Sequence, residues 1–236
     1  VEFAQTVGPN SRGHNSFAWA GMLFLAIAAS AAPPLPKAPV GFRLFPGRAP
    51  ALDVHLYHDL CCPFSRQMFE ALCGDSGAIA QLEKQSEGRV QWTYHCVPQP
   101  WHAQSACMHE ASLAVEAAAP EKTWSFLAAL NAQQQDFFDE HAMDYSRRDL
   151  YKRLASIAST VGCEEEAILQ LLSPLEPTGN SGIGVTQALK WHVRHHRAAG
   201  VHVTPTVFVN GIEAPQVSSG WSSTEWVDFC DGLLKN

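Results

Sequence analysis

A stretch of about a hundred residues with helical character, His102 to Gly200, constrains the fold of this chain more than any other sequence feature. Alanine-rich segments such as HAQSACMHEASLAVEAAA have the apolar spacing of helices, and prolines and glycines divide the stretch into several of them. The residues on either side are different, because they contain short β-prone segments. The chain must therefore bring two β-containing parts together around a helical insertion.

The segments before the insertion have the order strand, helix, strand. Ala51–Tyr57 and Arg89–Val97 alternate between apolar and polar residues, which predicts two strands. Pro63–Gln85 predicts one helix, with Pro63 in the first turn, where a backbone N–H is not needed. A strand–helix–strand unit favours parallel pairing with a right-handed crossover.

The segments after the insertion predict two strands and a helix. Val203–Gly211 is β-prone and ends in Asn-Gly, which is a hairpin signal, and one more strand is expected within Gly211–Ser219. Ser222 and Ser223 can cap a last helix, Thr224–Leu234.

The complete order, β-α-β, helices, then β-β-α, predicts an α/β protein with a thioredoxin-like fold and a central inserted helical domain. Residues 51–101 and 201–236 are predicted to form the thioredoxin-like domain, and residues 102–200 the inserted domain.

Residues 1–50 are predicted to precede that fold, as a signal- or anchor-like segment followed by a proline-rich linker, Ala32–Pro50. Residues 17–32 form an uncharged apolar run, a little short of the about 20 residues that a membrane span needs. Arg12 before the run and small residues at its end resemble a secretory signal peptide, which would place the protein in the secretory pathway, the endoplasmic reticulum or at a membrane. The alternatives are an unprocessed apolar helix and upstream sequence outside the fold.

The composition argues against several other classes of protein. The chain has 16 basic and 23 acidic residues and a net charge of −7, with no basic block, so nucleic acid is not expected as a partner. The cysteine count is seven, which is odd, and no C-x-x-C pair is present. Neither a disulfide framework nor a structural zinc site is therefore predicted.

Two motifs lie where this layout would place an active site. DLCCPFS, Asp59–Ser65, falls between the first strand and its helix, and GVHVTPTVFVNG, Gly200–Gly211, precedes the hairpin. Together they resemble the DsbA-like branch of the thioredoxin superfamily. In that branch an aspartate, two spacers and C-P-x-C open the first helix, a cis-proline loop faces the cysteine, and a helical domain is inserted between the two halves.

The resemblance implies a role for each matching residue. It makes Cys62 the nucleophile and makes Pro63 and Phe64 the variable dipeptide of the motif. Pro205 matches the cis-proline, and Thr204 matches the residue before it. Ser65 stands where the resolving cysteine of the family is expected, so the chain departs from the family in the dithiol cycle and not in the fold.

Elementary chemistry supports a reactive Cys62. The thiolate is the nucleophilic form of cysteine, and the positive end of a helix favours the anion. The alternative is a small buried apolar residue, which is common for free cysteine. If Pro205 is cis, the Thr204 backbone would turn toward Cys62 and could pair with an extended peptide or with glutathione.

With Ser65 in the loop, a mixed disulfide on Cys62 needs a thiol from elsewhere. Glutathione or another external thiol is one source, which would make the protein a monothiol enzyme. Cys96 at the end of the second strand is the first internal candidate, and Cys107 is the second, whereas adjacent Cys61 would form a strained vicinal disulfide. The remaining alternative is no redox cycle, with the Ser65 hydroxyl donating a hydrogen bond that keeps Cys62 ionised.

Histidines also cluster at the predicted sheet edge. His95, His102 and His109 can act as acid or base, with His102 the best candidate, or can be ordinary surface residues. His192 and His196 share a helix face, but no carboxylate stands at a metal-site spacing, so no metal is predicted.

These features favour a DsbA-like thiol-disulfide oxidoreductase with one nucleophilic cysteine. Its expected partners are thiol or disulfide substrates, either peptides or glutathione, and no cofactor is expected beyond glutathione as a co-substrate. The alternatives are a kappa-like glutathione transferase or isomerase and a non-catalytic thioredoxin-like binding domain. The kappa-like branch resembles S-P-x-S at the active-site loop, so Cys62 argues against it.

Overall fold

A five-stranded sheet forms the centre of the fold in the computed structural model, which describes residues 34–46, 49–74, 76–176 and 179–235. The strands, in chain order, are β1 (Phe42–Arg43), β2 (Leu52–His58), β3 (Val90–Cys96), β4 (Thr206–Val209) and β5 (Ile212–Glu213). Their order in the sheet is β1-β3-β2-β4-β5, and only β2 and β3 run parallel. The mixed α/β architecture agrees with the predicted thioredoxin-like fold.

The parallel pair and the hairpin lie where the sequence predicted them. Leu52 pairs with Val90, and the register continues to His58 opposite Cys96. In the turn from β4 to β5, Asn210 and Gly211 both have positive φ angles, 49° and 82°. A two-residue turn of this type matches the right-handed twist of its strands, which explains the Asn-Gly sequence.

Two predictions about the first half of the chain were wrong. The predicted helix Pro63–Gln85 is two helices, α1 (Pro63–Cys73) and α2 (Ala78–Gln85). The chain turns tightly between them, and a Cβ on Gly77 would lie 2.3 Å from the Leu72 carbonyl oxygen. The sheet also begins within the predicted linker, because Phe42 pairs with Tyr94 and is buried in the core.

Helices fill the stretch between β3 and β4. They are α3 (Ser105–Ala118), α4 (Thr123–Ala132), α5 (Asp139–Ala142), α6 (Arg147–Thr160), α7 (Glu165–Leu171) and α8 (Thr186–Ala198), with 3₁₀ turns at Pro120–Lys122 and Gln134–Phe137. The last helix, α9 (Ser223–Leu234), begins with a capping box between Ser222 and Glu225.

Two hydrophobic clusters lie side by side on one face of the sheet, because Trp92 and Tyr94 are two residues apart on β3. One joins Phe42 and Tyr94 to helices of the insertion, including Met108 and Phe126. The other packs α1, α2 and α9 beside it, where Trp226 contacts Trp92 edge to face. Helix α8 packs on the opposite face of β3. Because both faces are covered, every residue of β3 is buried.

None of the described helices is long and apolar enough to cross a membrane. The apolar run 17–32, on which the signal or anchor prediction depends, lies outside the described residues.

Candidate active site

Cys62 is the N-cap residue of α1, with φ −79° and ψ 121°. Its N–H donates to the Asp59 carbonyl (3.0 Å), and its own carbonyl accepts from the Arg66 N–H (3.1 Å). The unpaired N–H groups of the first turn make this end of a helix positive, and no acidic residue lies in that turn. The fold therefore holds the Cys62 sulfur where a negative charge is favoured.

The loop before β4 lies directly against this sulfur. The Thr204–Pro205 peptide bond is cis, and the Cys62 thiol donates to the Thr204 carbonyl at 3.5 Å. The pairing of Tyr57 with Thr206 fixes the loop at the end of β2, which leads into the Cys62 loop. Two segments far apart in sequence thus enclose the thiol, which is 6 % exposed.

Exposed apolar side chains flank the enclosed thiol. Phe64, two residues beyond Cys62, is 59 % exposed, and Val203, next to Thr204, is 65 % exposed. Pro63 is also exposed, whereas Thr204 and Pro205 are half-buried. An apolar or extended substrate can therefore reach the loops that present the sulfur.

Ser65 faces inward from the first turn of α1. It is 1 % exposed, and its hydroxyl accepts a hydrogen bond from the Asp59 N–H (3.3 Å). The described hydrogen bonds include none from this hydroxyl to the Cys62 sulfur. The side chain thus ties the start of the helix to the loop before it.

Asp59 is the most heavily bonded side chain of the site. Its carboxylate accepts from the Cys61 N–H (3.0 Å), the Ser105 hydroxyl (2.5 Å) and the Gln99 N–H (3.2 Å), and it pairs with His102 Nδ1 at 2.6 Å. Burial by itself raises the pKa of Asp59, but hydrogen bonding and charge from His109 and the bonds from Ser105 and Cys61 lower it to about 2. The carboxylate is therefore ionised at neutral pH.

The three histidines expected at this edge differ in access to solvent. The His102 side chain is 23 % exposed and reaches the surface beside Trp101. His95 and His109 are buried, and His109 Nε2 lies 3.7 Å from the Asp59 carboxylate. Only His102 of these three can meet a substrate.

The other cysteines near the site are buried, and all seven cysteines of the chain are free thiols. Burial raises the pKa of the Cys96 thiol well above its usual value. Burial, with a smaller effect from nearby carboxylates, also raises the pKa of Cys61 to about 12 and that of Cys107 to about 11. Cys96 lies at the predicted end of β3, but its side chain is in the hydrophobic core. The fold therefore does not present Cys96 or Cys107 as an accessible thiolate.

Gln134 is a residue of the site that the sequence analysis missed. It is fully buried in a 3₁₀ turn of the insertion, and its amide donates to the carbonyls of Leu60 (2.8 Å) and Cys62 (3.0 Å). Seventy-two residues separate Gln134 from Cys62, so no local pattern indicates the contact. The helical insertion thereby holds the nucleophile loop in place.

A separate group of histidines, which we call the histidine stack, packs α8 on the sheet. Its members are His55, His95, His192 and His195.

Within the stack, the His95 ring contacts the rings of Tyr57 (4.4 Å) and His195 (4.7 Å), and it shares a 2.7 Å hydrogen bond with His55. Burial first, then the charges of neighbouring histidines, lowers the pKa of His95 well below its usual value and that of His192 to about 3. No group of three metal-ligating side chains with suitable geometry occurs in the described part of the chain.

Comparisons with known proteins agree with this fold. A family model described as thioredoxin matches residues 44–224. No curated protein sequence matches the chain.

Three crystal structures illustrate the structural likeness. BdbD from Bacillus subtilis has a TM-score of 0.62 at 16 % identity, with 83 % of this chain and 94 % of that chain covered. A proposed protein-disulfide isomerase from Pseudomonas syringae has a TM-score of 0.60 at 24 % identity, covering 76 % and 93 %. Mtb DsbA has a TM-score of 0.57 at 22 % identity, covering 83 % and 93 %. At these identities the likeness establishes a shared fold.

Proposed function

The chain belongs to the thioredoxin family, and we propose that within it the protein is a DsbA-like thiol-disulfide oxidoreductase acting through the single nucleophilic thiol of Cys62. One observation carries the proposal. The Cys62 sulfur lies at the start of α1, 3.5 Å from the carbonyl oxygen that precedes cis-Pro205. Solved proteins of this fold include thiol-disulfide oxidoreductases, such as MdbA from Corynebacterium diphtheriae.

The reaction consists of two exchanges. The Cys62 thiolate attacks one sulfur of a substrate disulfide, a new S–S bond forms to Cys62, and the second substrate sulfur leaves as a thiolate. Ser65 cannot resolve this mixed disulfide, so an external thiol attacks the substrate sulfur and releases the Cys62 thiolate. Glutathione is the external thiol we propose, since Cys96 and Cys107 are buried and their thiol pKa values are raised.

The loops around Cys62 would bind the substrate. Exposed Pro63 and Phe64 lie on one side of the sulfur, and Thr204 and Pro205 lie on the other. An extended peptide or glutathione would lie along the Thr204 backbone as an added strand. The buried position of Ser65, 1 % exposed, disfavours the kappa-like transferase, in which a loop hydroxyl activates glutathione.

The test compares two neighbouring cysteines. Exchange of a peptide disulfide with glutathione, which releases one peptide thiol and forms a peptide–glutathione disulfide, should be lost in Cys62→Ser. Cys61→Ser is the matched control, because Cys61 points into the core. Mass spectrometry should find a glutathione adduct on Cys62 after treatment with oxidised glutathione. Turnover that survives Cys62→Ser would contradict the proposal, and a parent protein without turnover would indicate the binding-domain alternative.

Cys96→Ala and Cys107→Ala test where the second thiol comes from. We expect both variants to keep glutathione-dependent turnover, because burial raises the pKa of both thiols. Loss of turnover in folded Cys96→Ala alone would indicate an internal resolving thiol instead.

A further inference from the structure

Asp59 and His102 form a pair that the two exchange steps above do not use. The His102 Nδ1 atom lies 2.6 Å from Asp59 Oδ2, the shortest contact of this histidine. An ionised carboxylate can only accept hydrogen bonds, so the proton in this contact must be on His102 Nδ1. In the neutral ring Nε2 is then a free acceptor, and the described residues supply no hydrogen-bond partner for it.

The remaining partners of the carboxylate make its orientation rigid. The Cys61 N–H and the Ser105 hydroxyl bond to Oδ1, and the Gln99 N–H bonds to Oδ2 beside His102. Each carboxylate oxygen therefore has at least two protein partners, and Asp59 itself is fully buried. A carboxylate held in this way fixes both the tautomer and the direction of the imidazole.

The same aspartate also holds the nucleophile. Its main-chain carbonyl accepts from the Cys62 N–H at 3.0 Å, so Asp59 bonds His102 through its side chain and Cys62 through its backbone. The pairing of β2 with β3 brings the segments after His58 and Cys96 to one sheet edge, since the Val97 N–H donates to the His58 carbonyl. His102 thus stands at the edge where the thiol exchange takes place.

Other titratable groups face the Asp59 carboxylate but cannot reach a substrate. His109 on α3 is fully buried, and its Nε2 lies 3.7 Å from Asp59 Oδ1. His58 on β2 is 1 % exposed and contacts Met68. His102, with 23 % of its side chain exposed, is the group of this network that connects the buried carboxylate to solvent.

We propose that His102 is the acid–base group of the exchange reaction and that Asp59 is its positioning residue. The inference rests on the proposed function. His102 Nε2 takes the proton from the external thiol as that thiol attacks the mixed disulfide on Cys62. The bond between Cys62 and the substrate sulfur breaks, a bond from the external sulfur to the substrate sulfur forms, and the imidazolium returns the proton to the Cys62 thiolate. One disulfide and one thiol are present before and after the step, so it needs no oxidant or reductant.

The chemistry of a single-cysteine site explains why a base is needed here. An ordinary thiol in solution has a pKa of about 8.5 and is mostly protonated at neutral pH. A base held beside the mixed disulfide generates the attacking thiolate where it is used. Acid–base catalysis by a positioned side chain contributes about 10²–10⁴-fold to a rate, and the low end is sufficient in this case.

The experiment isolates the second exchange. The protein is first converted to its Cys62–glutathione mixed disulfide, and release of the Cys62 thiol by reduced glutathione is followed across a pH series. We expect His102→Gln to slow release about 10²-fold near neutral pH, and the loss should shrink at alkaline pH, where glutathione ionises by itself. His141→Gln, which alters a histidine with 54 % of its side chain exposed on α5, should release at the parent rate.

A rescue experiment separates catalysis from structural support. An aromatic thiol that is already a thiolate at neutral pH should release Cys62 from the His102→Gln adduct at nearly the parent rate. Asp59→Asn should also lower the rate of release by glutathione, by about tenfold or more, because an amide can bond the other tautomer of His102. The double variant should be no slower than His102→Gln alone.

The outcomes distinguish the two proposals. If no glutathione adduct forms on Cys62, the proposed function fails. If the adduct forms and His102→Gln releases it at the parent rate, only the role of His102 fails. The same holds if His102→Gln slows release equally at all pH values and the aromatic thiol does not restore the rate. Urea unfolding of each variant identifies any that do not fold.

Discussion

Acidification should destabilise this protein at a pH above that at which carboxylates protonate. His58 and His192 are buried, and burial, with repulsion from neighbouring histidines, lowers the pKa of each from 6.5 to about 3. The unfolded chain therefore takes up these protons at a higher pH than the folded protein does. The stability that the neutral rings contribute is complete above pH 6.5 and is lost as the pH falls from there toward 3.

The size of the effect follows from the shift. At about pH 5, a histidine whose pKa falls from 6.5 to about 3 on folding lowers the free energy of unfolding by about 2 kcal/mol. His58 and His192 together then lower it by about 4 kcal/mol, and His95 acts in the same direction. This is a large part of the about 5–15 kcal/mol that stabilises an ordinary domain.

The assay is urea unfolding, followed by tryptophan fluorescence, at about pH 7.5 and about pH 5. His192→Asn is the informative variant, because an asparagine oxygen can replace Nδ1 as the acceptor for the Cys96 N–H but does not titrate. Its loss of free energy between the two pH values should be smaller than the parent's by about 2 kcal/mol. His141→Asn, at an exposed site, should behave as the parent. An equal loss in His192→Asn and the parent would refute the reasoning.

Three further predictions concern the site and a helix cap. Ser65→Cys should add an internal resolving thiol, so mass spectrometry after treatment with oxidised glutathione should find an internal disulfide to Cys62; a glutathione adduct as the only product would contradict this. Gln134→Ala leaves the buried Leu60 carbonyl without a donor and removes one of the two donors to the Cys62 carbonyl, so it should lower the free energy of unfolding in urea by about 1–3 kcal/mol, whereas exposed Gln133→Ala should change it little. Ser222→Ala removes the cap of α9 and should cost about 1 kcal/mol, which Ser222→Asp should largely restore.

Local patterns account for much of the fold that could be predicted. The alternation in Ala51–Tyr57, the Asn-Gly turn and the serine cap of α9 are short-range signals, and each corresponds to an element in the structure. β1 was missed because its two residues form a strand only through pairing with β3, about fifty residues away. The break between α1 and α2 did have a local signal, Gly74 and Gly77, which the helical pattern on both sides concealed.

The residues of the candidate site also differ in whether a local sequence signal indicates them. Cys62 and Pro205 are found from motifs, but the bond from Asp59 to His102 spans 43 residues and leaves no local pattern. Sequence reasoning placed Cys96 at the correct end of its strand. The alternation of β3 also places Cys96 on the apolar face with Trp92 and Tyr94, a signal that the thiol faces the core and that its position at the strand end concealed.

The enclosure of Cys62 also has a consequence for the order of events during synthesis. The carbonyl that contacts its sulfur belongs to Thr204, 142 residues later in the chain, and β2 gains β4 as a neighbour only at the same stage. A ribosome that adds about 5–20 residues each second needs several seconds or more to reach that point. During this interval the nascent chain carries two adjacent thiols, Cys61 and Cys62, without the loop that later covers one of them. Protection of the nucleophile from stray oxidation is therefore a property that the protein acquires only after the loop at Thr204 has been synthesised.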